Sequence, residues 1–289
     1  MSNELAITTD LGMSMAEAIG VSSSAGETKS ASLTRINLTH NALMGSMDVG
    51  GKKVKTEVVP AGAYKITLGE DKEVYSVNPS VRIFAVRQQW SKWDSEANQM
   101  QKTVMSTDLK GDLKDNMGGF NLGRPSGYIE DWDAVPQKTK DLIRSIKRKK
   151  IVFGMLTASD LTDAEGNAVE AITEPMPFVY EVSPSSIKAL DQAMSSLTRK
   201  NILAIQYTFT LGADEGTLPN GNTYAIMTLG AGDKVDITQE DQTKLKDFMD
   251  YIEYNNSYIL NQWEEKHKEG ISGEDADVVA SFVNVEEAD

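Results

Sequence analysis

Trp90 and Trp93 stand within RIFAVRQQWSKWDSEANQMQKTVM, residues 82–105, beside Arg82, Arg87, Lys92 and Lys102. An indole offers a flat π-face on which another planar ring can stack. Each cation offers a partner for a phosphate oxygen. A single strand of nucleic acid can use both contacts whatever its sequence. Stacking on an aromatic side chain is worth about 1–3 kcal/mol per base, and phosphate pairing releases bound counterions. The competing role for these tryptophans is to cap a hydrophobic core. Trp90, however, falls out of phase with the alternation Ile83, Ala85, Arg87 if that face is all core.

Three further stretches could join them. Lys110, Lys114, Phe120, Arg124 and Tyr128 stand in or beside residues 111–128, among Gly118, Gly119, Gly123 and Gly127. Glycines allow close backbone approach, and their amides can face phosphate oxygens. No GK[ST] follows, so this is not a Walker-type phosphate loop; the alternative is a surface loop without a ligand. Arg144, Lys147, Arg148, Lys149 and Lys150 form the second stretch. Such a run is often a solvated face, but this one leads straight into a strand pattern and is thereby fixed to the scaffold. The third is EDADVVASFVNVEEAD, residues 274–289, with six acids and no base around Phe282. It reads either as a solubilising end or as a grip for a protein partner through Phe282, Glu286, Glu287 and Asp289.

Composition narrows the chemistry. The 289 residues carry a net charge of −14, which alone argues against nucleic acid. The distribution reverses that argument: residues 82–150 hold fourteen Lys/Arg against nine Asp/Glu. No cysteine is present, which excludes disulfides, thiolate zinc sites and thiol nucleophiles. His40 and His267 are the two histidines, so triads and histidine-rich metal sites have no material. Asp131 and Asp133 in EDWDAVP could ligate Mg²⁺, although that spacing arises often by chance. The expectation is a protein with no catalytic residues, no metal and no cofactor. No apolar run approaches the roughly 20 residues of a membrane span, and MSNELAITTD lacks the charge and apolar block of a signal peptide, so a cytoplasmic location is expected.

The elements that must position these residues are mostly short strands. LTRINLTHNALMG predicts a strand and turn, and VGGKKVKTEVVPAGAYKITLG a hairpin. VYSVNPSVRIFAVRQQW and QMQKTVM predict two strands joined by the polar SKWDSEAN. Residues 108–136 are too irregular for helix or strand, and a loop of that length is functional or disordered. TKDLIRSIKRKK predicts a short basic helix, followed by strands at KIVFGMLTA and PMPFVYEVS. SPSSIKALDQAMSSLTR predicts a helix with Ser183 as cap and Pro184 in its first turn. ILAIQYTFTLG and GNTYAIMTLG are strands. ITQEDQTKLKDFMDYIEYNNSYILNQWEEKHKEG is a long helix with a capping box from Thr238 to Asp241 and an apolar side at Phe248, Tyr251, Ile252, Ile259 and Leu260.

This order predicts an α+β fold, mainly antiparallel β, built as an embellished oligonucleotide-binding (OB-like) barrel with a basic loop insertion and a long C-terminal helix. Residues 1–31 read as a flexible arm, 32–269 as the binding domain and 270–289 as an acidic disordered tail.

The strand pattern, the WSKW segment, the GGFNLGRPSGY loop and the acidic EEAD end together resemble single-stranded DNA-binding proteins of bacteriophages. That resemblance implies cooperative coating of single strands in replication or recombination, a tail that competes with DNA for the basic groove, and recruitment of replication or recombination proteins by the tail. Asp289 stands where the family commonly ends in an aromatic residue. A virion or other structural protein with a mobile N-terminal arm is the competing reading; it has little need of a basic middle opposed by an acidic end.

Overall fold

The structure, a computed structural model, describes residues 33–49, 52–69, 72–126 and 129–269. The predicted arm and tail lie outside them. The chain runs through β1 (Thr34–Leu38), a hairpin of β2 (Leu43–Val49) and β3 (Lys52–Val59), then β4 (Tyr64–Thr67) and β5 (Glu73–Ser76). The long β6 (Ser80–Asp94) turns into β7 (Gln99–Lys102). After an irregular stretch come helix α1 (Gln137–Ser145), β8 (Lys147–Ala158) and β9 (Ile172–Val182). Helix α2 (Ile187–Arg199), β10 (Tyr207–Thr217), β11 (Thr223–Lys234) and helix α3 (Gln239–Glu269) complete the order. Among the described residues no helix is long and apolar enough to cross a membrane.

The fold is α+β and mostly antiparallel, with the long C-terminal helix expected. Among the described residues it does not close into a barrel. The main sheet runs β11-β10-β6-β8-β9-β1-β4-β5, with β7 also on β6, and among the described residues no ladder joins its two ends. Among the described strands, β1 and β9 alone pair in parallel. The sheet does curl. Buried side chains from β4, β5, β10 and β11 meet those of β6, β8 and β9 in one core, which Ile187 and Leu190 of α2 cover. Tyr64 Oη donates to the Gly212 carbonyl at 2.7 Å, linking β4 to β10 without sheet pairing.

A bulge decides what β6 presents. Its register against β8 slips between Ile83 and Ala85. An extra residue reverses which alternate side chains face each way. Before the bulge Val81 and Ile83 enter the α2-side core. After it Val86 takes that side, followed by Gln88 and Trp90, while Ala85, Arg87 and Gln89 turn to the α3 side. This is why Trp90 is out of phase with Ile83 in the sequence.

The cations of residues 147–150 lie in β8, not in the predicted basic helix. Helix α1 ends at Ser145, and Lys147 to Lys150 pair with Ser91 to Gln88. Strand pairing outweighs the helix preference of Lys and Arg. Alternation then divides the run: Arg148 and Lys150 share the face of Trp90 and Gln88, and Lys149 faces the other way.

Helix α3 begins as its sequence predicts. Thr238 N–H donates to Asp241 Oδ2 at 2.7 Å, and Asp241 N–H donates to Thr238 Oγ1 at 3.2 Å. Phe248, Ile252 and Ile259 are buried; Phe248 meets Phe84 and Phe153 edge-on or tilted. Burying such side chains is worth about 1.5–3 kcal/mol each, enough to dock the helix along the sheet. At α2 the expected cap is replaced. Pro184–Ser186 form a 3-10 turn, and Ser183 Oγ donates to Ser186 Oγ instead of a helix amide.

Candidate nucleic-acid interface

Trp90 is half-buried on the α2 side of β6. The guanidinium of Arg124 lies over its ring, 4.7 Å from the centroid. Beside this stack a groove of about 680 Å³ opens between the start of β8 and α2. Arg124, Lys147, Arg148, Lys188 and Arg199 line it, with a single carboxylate, Asp191. That carboxylate is already answered: Lys150 donates to Oδ1, and Arg148 pairs with Oδ2 at 3.5 Å. Arg148 Nε also donates to Gln88 Oε1 at 3.0 Å, which fixes the guanidinium on the sheet. Lys188 and Arg199 are exposed on α2 and form no ion pair among the described residues. Burial, and then the charge of Arg148, lowers the pKa of the Lys150 ammonium. Burial likewise lowers that of Arg124, though a guanidinium stays charged. The groove is thus an aromatic–guanidinium stack inside a positive field. No family model, curated protein or solved structure matches the chain.

The glycine-rich loop holds Arg124 over Trp90. Its anchor is Asp115, only 1% exposed. The Asp115 carboxylate accepts N–H groups of Met117 at 2.9 Å, Gly119 at 3.0 Å and Leu122 at 2.8 Å. Burial raises its pKa, and these three bonds oppose the rise. Asn121 and Leu122 both adopt left-handed backbone, with φ of 52° and 59°. That costs non-glycine residues about 1–3 kcal/mol each, so the surroundings must enforce it. Helix α3 contributes: Trp263 Nε1 donates to the Gly119 carbonyl at 2.9 Å. At Gly118, φ +87°, a Cβ would stand 2.9 Å from Lys266 Cβ, so the close approach to α3 requires glycine. Of the glycine amides expected to face phosphate, that of Gly119 donates to the Asp115 carboxylate, that of Gly118 to the Asp115 carbonyl at 3.4 Å and that of Gly123 to the Phe120 carbonyl at 2.9 Å, while Gly127 lies outside the described residues.

The structure gathers Trp90, Arg124, Lys147 and Arg148 at the groove, with Lys150 beneath it and Lys92 two residues along the same face of β6. The other predicted residues go elsewhere. Arg82 is half-buried and clamps the buried Asp241 through two bonds, 2.6 and 3.0 Å, with a third to the Ile205 carbonyl. Arg87 turns to α3, where Nη2 reaches Met249 Sδ and burial lowers its pKa. Lys102 and Lys149 face the same way, and Lys149 pairs with Glu181 at 2.5 Å. Trp93 is 54% exposed and points to the opposite face from Trp90. Lys114 and Phe120 pack on Trp263, the Lys114 ammonium 3.9 Å from the ring centroid. Lys110 is exposed in the preceding turn, and Arg144 pairs with Asp141 on α1 at 3.3 Å. Tyr128, Phe282, Glu286, Glu287 and Asp289 lie outside the described residues.

Lys188, Gln192, Ser195 and Arg199 were not anticipated. They do leave a signal: a polar stripe at i, i+4, i+7 and i+11 on one side of α2. As for Asp131, its Oδ1 accepts the N–H groups of Asp133 at 2.9 Å and Ala134 at 3.2 Å, a turn-forming role. Among the described residues no group of three or more His, Asp or Glu is placed to share a cation.

Proposed function

We propose that the protein binds single-stranded DNA without sequence preference and without catalysis, along the groove between β8 and α2. The observation that carries this reading is the Arg124–Trp90 stack opening onto Lys147, Arg148, Lys188 and Arg199. A base stacks on the indole or on the guanidinium plane above it. The neighbouring phosphates meet the cations of β8 and α2. None of these contacts reads a base edge, so affinity is set by stacking and charge. The curled sheet gives this groove the role that the concave face of an OB-like barrel would have. The resemblance to phage proteins supplies the setting, DNA replication or recombination, and a function for residues 274–289 as an anionic competitor for the groove and a handle for partner proteins.

Titration with oligo(dT) of increasing length, followed by tryptophan fluorescence, tests this. If the five groove cations each neutralise a phosphate, log K falls against log salt with a slope of about −3.5. A fourfold rise in salt then weakens binding about a hundredfold. Affinity independent of salt, or no binding at low salt, rejects the reading.

A further inference from the structure

A second cavity, of about 310 Å³, lies on the other face of the sheet, between α3 and strands β1, β8 and β9. Ile151, Phe153 and Val179 form its floor, and Tyr251 and Ile259 of α3 its wall. Arg35, Lys102 and Glu181 bring charge to it. Glu181 is matched by Lys149. Arg35 and Lys102 have no ion pair among the described residues. Burial lowers the pKa of the Lys102 ammonium; the charges of Lys149 and Arg35 push the same way and Glu181 opposes them. The fold therefore holds a half-buried ammonium among the charges of Glu181, Lys149 and Arg35, and among the described residues no ion pair reaches it. Desolvating an unpaired charge opposes folding, so the arrangement suits a ligand and not the empty fold.

The cavity sits at the lower end of the roughly 300–1,000 Å³ of small-molecule sites. A planar guanidinium fork and a compact ammonium are the two donors that suit a phosphoryl group. Asn37 and Gln89 add polar lining, and Tyr251 offers an aromatic wall. We propose that this cavity binds the phosphoryl group of a small molecule, Arg35 acting as the fork and Lys102 as the point charge. Tyr251 and the apolar floor accommodate a planar body, so a nucleoside monophosphate seats better than inorganic phosphate. The site is separate from the groove and does not depend on DNA binding there.

The test uses the full chain with inorganic phosphate and, separately, dTMP, at constant ionic strength balanced with chloride. Thermal melting and ³¹P line broadening are read. Both ligands should raise Tm with the logarithm of concentration, dTMP at lower concentration. Lys102→Met and Arg35→Gln should each weaken the response at least tenfold. Lys102→Met should also melt higher than the parent without ligand, because a half-buried charge with no ion pair is gone. Phosphate acting alone, with dTMP inert, supports the phosphoryl contacts of Arg35 and Lys102, names free phosphate as their source and overturns the fit of a planar body. No shift beyond chloride, or the same shift in both variants, overturns the proposal. So does displacement of oligo(dT) by phosphate, which would make the cavity part of the strand's path. Failure to bind oligo(dT) with phosphate binding intact would reject the groove and leave this site standing.

Discussion

On the α2 side Trp90 and Arg148 of the sheet, Arg124 of the loop, and Lys188 and Arg199 of helix α2 meet at an open groove. On the α3 side Arg82 is clamped to Asp241, Arg87 reaches a methionine and Lys149 is matched by Glu181. Apart from Lys188 and Arg199, both sides draw on the same basic middle of the sequence. Arg148 and Lys149 are neighbours in the chain and opposites in the fold. A run of cations in a strand is two half-runs, and each half meets a different environment. A local surplus of positive charge therefore overstates the binding surface, by those members that hold elements together.

The sharpest break of this contrast is Arg82→Ala. Removing Arg82 leaves the buried Asp241 charged and without its ion pair, at up to about 3–5 kcal/mol. For a domain of this size that corresponds to a Tm lower by roughly 10 °C. Oligo(dT) affinity, measured well below the melt, should not change. Loss of binding at unchanged Tm would place Arg82 on the DNA surface after all. The pair also has an acid signature. Burial alone would raise the pKa of Asp241, but hydrogen bonds from Thr238 and Arg82 outweigh it and hold the value below the usual aspartate range. A depressed folded pKa stabilises the protein above the unfolded value, near about pH 4, and the contribution is lost as pH falls through the folded value. Arg82→Ala should thus cost less stability at pH 3 than at pH 7.

The tryptophans give the next largest effect. Trp90→Ala should weaken oligo(dT) binding by about 1–3 kcal/mol, one stacked base, without a large change in Tm. Trp93→Ala, on the other face, should bind as the parent does. An early melt for Trp90→Ala with normal binding in the folded state would make Trp90 a core residue. Equal losses from both would mean that the strand wraps the β6–β7 end instead of following one face.

Much of the fold is legible in the residue pattern, because alternation and end signals are local. Most strands, the capping box of α3 and its buried Phe248, Ile252 and Ile259 follow from spacing, but residues 74–90, expected as one strand, are split between β5 and β6, and the expected connection at 91–98 begins as strand, since β6 runs on to Asp94. The site is legible in part. Trp90, Arg124 and Arg148 carry a chemical signal wherever they fall in the chain. What decides their use is not local. The bulge at Ile83–Ala85 depends on pairing with β8 and reverses the rest of β6. Arg82 meets Asp241 across 159 residues of chain. The glycine-rich loop looks like a ligand cradle until Asp115 is seen to take its amides. The polar stripe of α2 looks like an ordinary solvated face until β8 is placed beside it.

The smallest predicted effect isolates the groove from the field. Lys188→Gln and Lys149→Gln remove the same charge, so long-range steering of an anionic strand declines equally in both. Local contact differs. Lys188 stands at the groove with no ion pair among the described residues, whereas Lys149 faces α3 and pairs with Glu181. Loss of one phosphate contact lowers the salt slope for a single strand by about 0.7. Lys188→Gln should show that decrease in phosphate-free buffer, and Lys149→Gln should keep the parent slope. Its broken surface pair costs at most about 1 kcal/mol of stability, too little to confuse with unfolding. Equal slopes for the two variants would mean that the strand senses only the summed charge and follows no groove. A decrease confined to Lys149→Gln would move the DNA path to the α3 side.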